Sequence, residues 1–233
     1  MTTAREQILG DIRKSLRGDA ALPADDAAKL EQRLSNHPAG LIPRRSDGRD
    51  RAGLTALFEQ QAKLVETSVR RIASLADVPA AVAEYLSSQN LPAGATVAPD
   101  KLLDQVPWSE RPMLRLRRGK PEPTDQVGVS VAFQAIAETG TLMLLSGAES
   151  PSTLNFLPDT HIVILPKSRI VGPMEEALRR LRDWRQAASA GMPRTVNFIT
   201  GPSRTADIEQ KIEMGAHGPR RQHILIVEDD RLA

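Results

Sequence analysis

The chain has 233 residues, 31 Lys and Arg against 29 Asp and Glu, no cysteine, and only four Phe, two Trp and one Tyr. That length holds one domain with room for an appended arm, and it buries roughly 70% of its unfolded surface without disulfides or metal. The missing thiols exclude a cysteine nucleophile, a cysteine-ligated zinc site and an iron–sulfur cluster held by this chain, while a net charge of +2 and few stacking rings argue against a nucleic-acid partner.

In chain order, Thr3 and Glu6 have capping-box spacing and Ile8, Ile12 and Leu16 share one face, which predicts an amphipathic helix over 3–17 closed by Gly18. A second, weaker helix spans about 25–34. Residues 37–49, His-Pro-Ala-Gly-Leu-Ile-Pro-Arg-Arg-Ser-Asp-Gly-Arg, have no apolar period and read as a linker. Residues 1–50 are therefore expected to form a helical arm and 51–233 the body. Nothing at the N-terminus resembles a secretion signal and no apolar run reaches 18 residues, so a cytoplasmic location without a membrane span is expected.

Leu54, Leu57, Phe58, Val65, Val69, Ile72 and Leu75 predict one long helix, and Asp77 before Val78-Pro79 starts the next. Strand-like runs follow at 95–98, 127–131, 141–145, 161–165, 196–200 and 223–227, with an Arg-rich helix over 174–188. Leu142–Leu145 and Ile162–Leu165 are apolar on both faces, the pattern of strands in a largely parallel sheet covered by helices. The Arg111, Arg115, Arg117, Arg118 and Lys120 group suits an acidic-partner patch or a solvated strand edge. His37, His161, His217 and His223 lack ligand spacing, so no metal site is expected.

Three loops carry chemistry. Ala137-Glu138-Thr139-Gly140-Thr141 puts a carboxylate at the mouth of an apolar strand, where burial raises its pKa or demands a partner. That suits a base, a nucleophile or an anchor for a ligand hydroxyl, and it equally suits a turn cap or an ion pair. Thr200-Gly201-Pro202-Ser203-Arg204-Thr205-Ala206-Asp207 reads as a strand–loop–helix corner at the carboxyl edge of a sheet. There Ser203, Arg204 and Thr205 with the helix start can hold a phosphate or carboxylate; alternatively Ser203 or Thr205 caps the helix, Asp207 complements its dipole and Arg204 pairs at the surface. In Gly215-Ala216-His217-Gly218-Pro219, His217 is either an acid/base group or part of a helix cap and turn. Glu138, Ser203, Arg204, Thr205 and Asp207 are expected to converge on one pocket at the carboxyl edge, with His217 at its rim.

Taken together, Ala135-Ile136-Ala137-Glu138-Thr139-Gly140-Thr141, Leu157-Pro158 with His161-Ile162, the string Ile199–Glu209 and Gly215–Pro219 resemble the lactate-utilization (LUD) domain family over roughly residues 50–230. The resemblance implies a Rossmann-like, three-layer α/β fold similar to that of ribose-phosphate isomerase, glucosamine-phosphate deaminase and the CoA-transferases. It also implies a non-redox accessory subunit that binds a small carboxylate or phosphate, or a partner subunit. Its system would oxidise L-lactate to pyruvate with two subunits, A and B, that carry the iron–sulfur clusters, so this chain would bind no cofactor of its own. The resemblance implies no catalytic residue; Glu138 and His217 are the candidates for catalysis, and Thr139, Thr141, Ser203, Arg204, Thr205 and Asp207 for ligand binding. The alternative is a CoA-transferase-like enzyme with Glu138 as nucleophile, since Ala-Glu-Thr-Gly faintly resembles the Ser-Glu-Asn-Gly of such enzymes.

Overall fold

The computed structural model describes residues 3–17, 23–38, 40–189, 191–205 and 213–229. The chain separates into two compact units, Met1–Ile42 and Pro43–Ala233. The first contains α1 (Ala4–Arg17) and α2 (Ala24–Asn36). The capping box forms as its spacing predicts: the Thr3 amide donates to Glu6 Oε2 at 2.7 Å and the Glu6 amide to Thr3 Oγ1 at 3.3 Å. Gly18, the expected stop, lies outside the described residues. α2 ends on His37 in the left-handed conformation (φ 42°), whose amide donates to Arg33 O. Ile8, Ile12, Leu16, Leu30 and Leu34 are all exposed, so these helices hold an apolar stripe without burying it.

Residues 43–50, expected at the end of the arm, pack as part of the body. Ser46 is buried against Gly172, where an added Cβ would lie 2.8 Å from its Oγ. Arg45 donates to the Glu138 carbonyl at 2.7 Å and to Gln61 Oε1 at 3.1 Å. A linker-like composition becomes a strap because one guanidinium satisfies a backbone acceptor far along the chain.

The body continues with α3 (Arg51–Leu64), β1 (Ser68–Ile72), α4 (Val78–Ser88), β2 (Gly94–Val97), α5 (Lys101–Asp104), β3 (Arg115–Arg118), β4 (Val127–Val131), β5 (Gln134–Ile136) and β6 (Thr141–Leu145). It ends with β7 (Thr160–Pro166), β8 (Ile170–Val171), α6 (Met174–Ala187), β9 (Val196–Ile199), β10 (Arg204–Thr205), β11 (Glu213–Met214) and β12 (Arg221–Val227). The long helix expected over 54–75 stops at Leu64. Glu66 takes a left-handed φ of 63°, and the chain re-enters as β1, whose Val69 and Ile72 mimicked a helical spacing.

Six strands form a wholly parallel sheet in the order β1-β12-β7-β4-β2-β3. On one face Val129, Ile162, Ile164 and Leu225 pack against Val82 and Leu86 of α4 and Leu103 of α5. On the other, Val163, Leu165, Ile224 and Ile226 pack against Leu57, Phe58 and Ala62 of α3 and against Ala135, Leu142 and Leu144. Each such side chain contributes about 1.5–3 kcal/mol on full burial. This parallel sheet with helices on both faces is the Rossmann-like α/β arrangement that the resemblance implies.

The strand runs at 141–145 and 196–200, expected in that parallel sheet, belong instead to a second sheet of order β8-β5-β6-β9. There β6 pairs antiparallel with both β5 and β9. β6 is apolar on both sides because this sheet is itself sandwiched: Ile136, Met143 and Val171 on its outer face pack on Ala177 and Leu181 of α6, whereas β9 is only partly buried, with Phe198 40% exposed. Double-sided burial reports coverage, not strand direction. No helix among the described residues is long and apolar enough to cross a membrane.

Two histidines sit inside the parallel sheet. His161 is fully buried with Nε2 2.7 Å from Ser130 Oγ, and burial pushes its pKa down from 6.5 to about 4. Burial, aided by the charge of Arg70, does the same to His223, also to about 4. Between pH 6.5 and 4 the unfolded chain takes up protons that the folded chain refuses, so stability is full above 6.5 and falls as pH drops toward 4. Melting temperatures across this range should decline toward acid, and His161→Gln should flatten the decline; an equally steep profile in the variant would assign the acid loss elsewhere.

Candidate functional site

The turn joining β5 to β6 is built by Glu138, Thr139 and Gly140. Gly140 has φ 67°, and a Cβ there would sit 2.5 Å from the Ala62 amide nitrogen, so glycine alone lets the turn lie on the backbone of α3. Thr139 Oγ1 and Thr141 Oγ1 are 2.6 Å apart, and Thr141 Oγ1 lies 2.7 Å from Thr200 Oγ1. The Leu142–Ile199 pairing of β6 and β9 sets Thr141 opposite Thr200, and the first two loops are thereby joined by a chain of hydroxyls.

Glu138 is 6% exposed. Its amide donates to Gly172 O at 3.3 Å, its carbonyl accepts from Arg45, and its Oε1 is buried without a hydrogen-bond partner. Burial, followed by the negative charge of Glu175, pushes its pKa above 4.5; Asp47 adds to this and Arg45 opposes it. Such a carboxyl holds its proton more readily than a surface one. The same burial argues against its use as a nucleophile toward a bulky thioester.

The second and third loops are laced together at Ser203. Its amide donates to Pro219 O at 2.8 Å, its carbonyl accepts from the Gly215 amide at 2.9 Å, and its Oγ accepts from the His217 amide at 3.2 Å. Three such bonds are worth about 0.5–1.5 kcal/mol each. Arg204 and Thr205 form β10, paired antiparallel with β11, rather than opening a helix at once. Asp207 and the helix expected around it lie outside the described residues. Arg204 reaches Glu66 at 3.7 Å, and His217 is exposed.

These loops do not meet at the carboxyl edge of the parallel sheet, as expected, but at its amino edge. Gly201 (φ 81°) presses on Val65, with an added Cβ 2.5 Å from Val65 O, just before β1 begins. The Arg221 amide, at the start of β12, donates to Asp159 O just before β7. The reversal follows from pairing: β9 is not a strand of the parallel sheet, so its end carries the loop to the opposite side.

Beside the laced loops is a cleft of about 230 Å³ lined by Glu66, Ser68, Tyr85, Arg220, Arg221 and Gln222, with Gln89, Pro202 and Met214 completing it. Ser68 Oγ lies 2.8 Å from His223 Nδ1, and the Tyr85 ring stacks on His223 with centroids 4.0 Å apart at 8°. Thr67 Oγ1 donates to Gln222 Oε1 at 2.9 Å. Burial raises the Tyr85 pKa, while Ser68 and Arg221 pull it back. Sequence reasoning passed over these residues because Ser68 lies in a stretch read as helix, and only parallel pairing sets it opposite His223. The one available signal was Arg220-Arg221 directly after the glycine-rich loop. A second depression, about 430 Å³, is lined largely by apolar groups such as Leu86, Leu91 and Met113 and offers less polar chemistry.

Two substitutions test this site's construction. Gly140→Ala should cost about 1–3 kcal/mol of stability, read as a lower melting temperature. Glu138→Gln should raise the melting temperature at neutral pH, because an ionised carboxylate with an unpartnered buried oxygen is replaced by a neutral isostere. That gain should vanish as pH falls through 4.5, where the unfolded-state carboxyl is itself protonated. A lower melting temperature at neutral pH would show that the charge is stabilised where it sits.

Comparison with known proteins places these loops. The sequence model of the LUD domain family matches residues 124–227. Lactate utilization protein C of Geobacillus thermodenitrificans is 39% identical over 116 residues, covering 49% of this chain and 48% of that protein. The protein of the same name from Halalkalibacterium halodurans is 40% identical over 110 residues, covering 47% of each. The chain thus spans about half the length of the relatives it matches. In fold it is similar to a DUF162 family protein from Deinococcus radiodurans, with a TM-score of 0.59 at 22% identity, covering 77% of this chain and 99% of that one. The hairpin, the end of β9 and the laced loops up to β12 all fall within residues 124–227, the segment that the LUD domain family model matches.

Proposed function

We propose that this chain serves lactate utilization as a non-redox accessory subunit in the cytoplasm, working with two iron–sulfur subunits, A and B, that oxidise L-lactate to pyruvate. The observation that carries the reading is the identity of 39–40% to proteins named lactate utilization protein C. Chemistry agrees with the division of labour. Converting lactate to pyruvate removes two electrons and two protons, and a chain without cysteine offers no thiolate ligands for a cluster to receive them. Its contribution is binding and docking, at the amino-edge face where the three loops gather.

Within that face Ser203 is occupied in lacing the loops, and Arg204 holds a surface pair with Glu66. Such pairs are worth about 0–1 kcal/mol. Arg204→Ala should therefore melt close to the native temperature, and growth on L-lactate then reads its function alone.

The purified chain should be colourless and should not reduce a dye with L-lactate, whereas the chain mixed with subunits A and B should. A strain lacking the chain should lose growth on L-lactate and regain it on complementation. Lactate-dependent dye reduction by the chain alone would overturn the accessory role.

A further inference from the structure

We propose that the amino-edge cleft is a binding site for a small organic monocarboxylate, clamped by Arg220 and Arg221 and contacted by the hydroxyls of Ser68 and Tyr85. The carboxylate class rests on the cleft's own geometry; its narrowing to a 2-hydroxy or 2-oxo acid rests on the proposed role in lactate utilization.

Size bounds the ligand first. At about 30 Å³ per water, roughly seven or eight waters fill 230 Å³. That is room for about half a dozen non-hydrogen atoms within the cleft itself, the size of a small organic acid.

Charge bounds it next. Neither Arg220 nor Arg221 takes part in an ion pair found among the described residues. The acid at the rim, Glu66, is engaged with Arg204 at 3.7 Å. The cleft therefore carries positive charge that an anion would neutralise, and guanidinium forks match a carboxylate in two-point fashion.

The groups are also held in place. A Cβ at Gly215 would lie 2.2 Å from Arg220 Cγ, so the Arg220 side chain runs directly over a residue that must be glycine. The backbone of Arg221 is fixed by the hydrogen bond from its amide to Asp159 O at 3.1 Å and by its place at the start of β12. Ser68 Oγ is fixed by the Gln222 carbonyl at 3.2 Å and His223 Nδ1 at 2.8 Å, and Tyr85 by stacking on the same imidazole. The Tyr85 hydroxyl supplies a donor for an oxygen of the acid, and Ser68 Oγ, whose one proton is held by the Gln222 carbonyl or the imidazole, supplies an acceptor for a hydroxyl next to the carboxylate. Preorganisation of this kind reduces the ordering cost of binding.

Isothermal titration of the full chain with sodium L-lactate, sodium pyruvate and inorganic phosphate tests the site. Lactate or pyruvate should bind saturably at one site per chain. Combining Arg220→Gln with Arg221→Gln should weaken that binding at least tenfold, and Gly215→Ala should weaken it by displacing Arg220. Tyr85→Phe should weaken it several-fold without changing the melting temperature, which keeps the test decisive if the arginine variant fails to fold. No saturable binding of either acid, phosphate bound in preference to both, or undiminished affinity in Tyr85→Phe and the arginine variant would each overturn the site. Carboxylate binding by a chain that leaves lactate oxidation by the subunits unaffected would sink the proposed function and leave the site standing. Dependence of that oxidation on a chain that binds neither acid would do the reverse.

Discussion

Everything at the amino-edge face depends on backbone lying directly against the last turns of α3. At Gly140 and Gly201 a single added carbon would come within 2.5 Å of the Ala62 nitrogen and the Val65 oxygen. Side chains normally hold packed elements 8–10 Å apart, and removing them at two points lets the second sheet settle onto the helix. The contact also fixes where the chain turns. α3 ends, Glu66 flips into the left-handed region, and β1 starts beside β12 with Ser68 opposite His223.

Polar groups at this face follow the same constraint. With the hairpin tip pressed down, the hydroxyls of Thr139, Thr141 and Thr200 form a chain. Glu138 is left with a buried, unpartnered oxygen beside Glu175 and Asp47, and the charge of Arg45 offsets part of that cost. Proteins commonly hold such unfavourable groups where function needs them, since a more stable neighbourhood would be easy to find. The strap that brings Arg45 to the Glu138 carbonyl reads as linker because its composition is that of a loop and its partner lies 93 residues away.

The sequence was most legible where structure is local. The capping box at Thr3 and Glu6, the helix beginning at Met174 and the doubly apolar strand at 162–165 formed as their spacing required. It was least legible where pairing is long-range. Val65, Val69 and Ile72 fit a helix as well as a strand, and only the αL turn at Glu66 separates the two. Leu142–Leu145 carries no mark of direction, so its antiparallel pairing within a second, mixed sheet could not be read. The edge at which the loops meet depends on that same pairing.

The site residues divide along the same line. The strings at 201–205 and 215–219 stand out in the sequence, and the chemistry expected of them rests on the side chains within them. In the fold those side chains mostly hold the loops to each other, as Ser203 does with His217, or screen a neighbour, as Arg204 does with Glu66. The glycines serve by what they admit. Gly201 lets the loop close on Val65, and Gly215 lets Arg220 cross it toward the cleft. A glycine in such a string marks the path of some other group, and the group lies outside the string. Here the next residues after it, Arg220 and Arg221, carry the charge, while Ser68 and Tyr85 come from an edge strand and the helix that follows it.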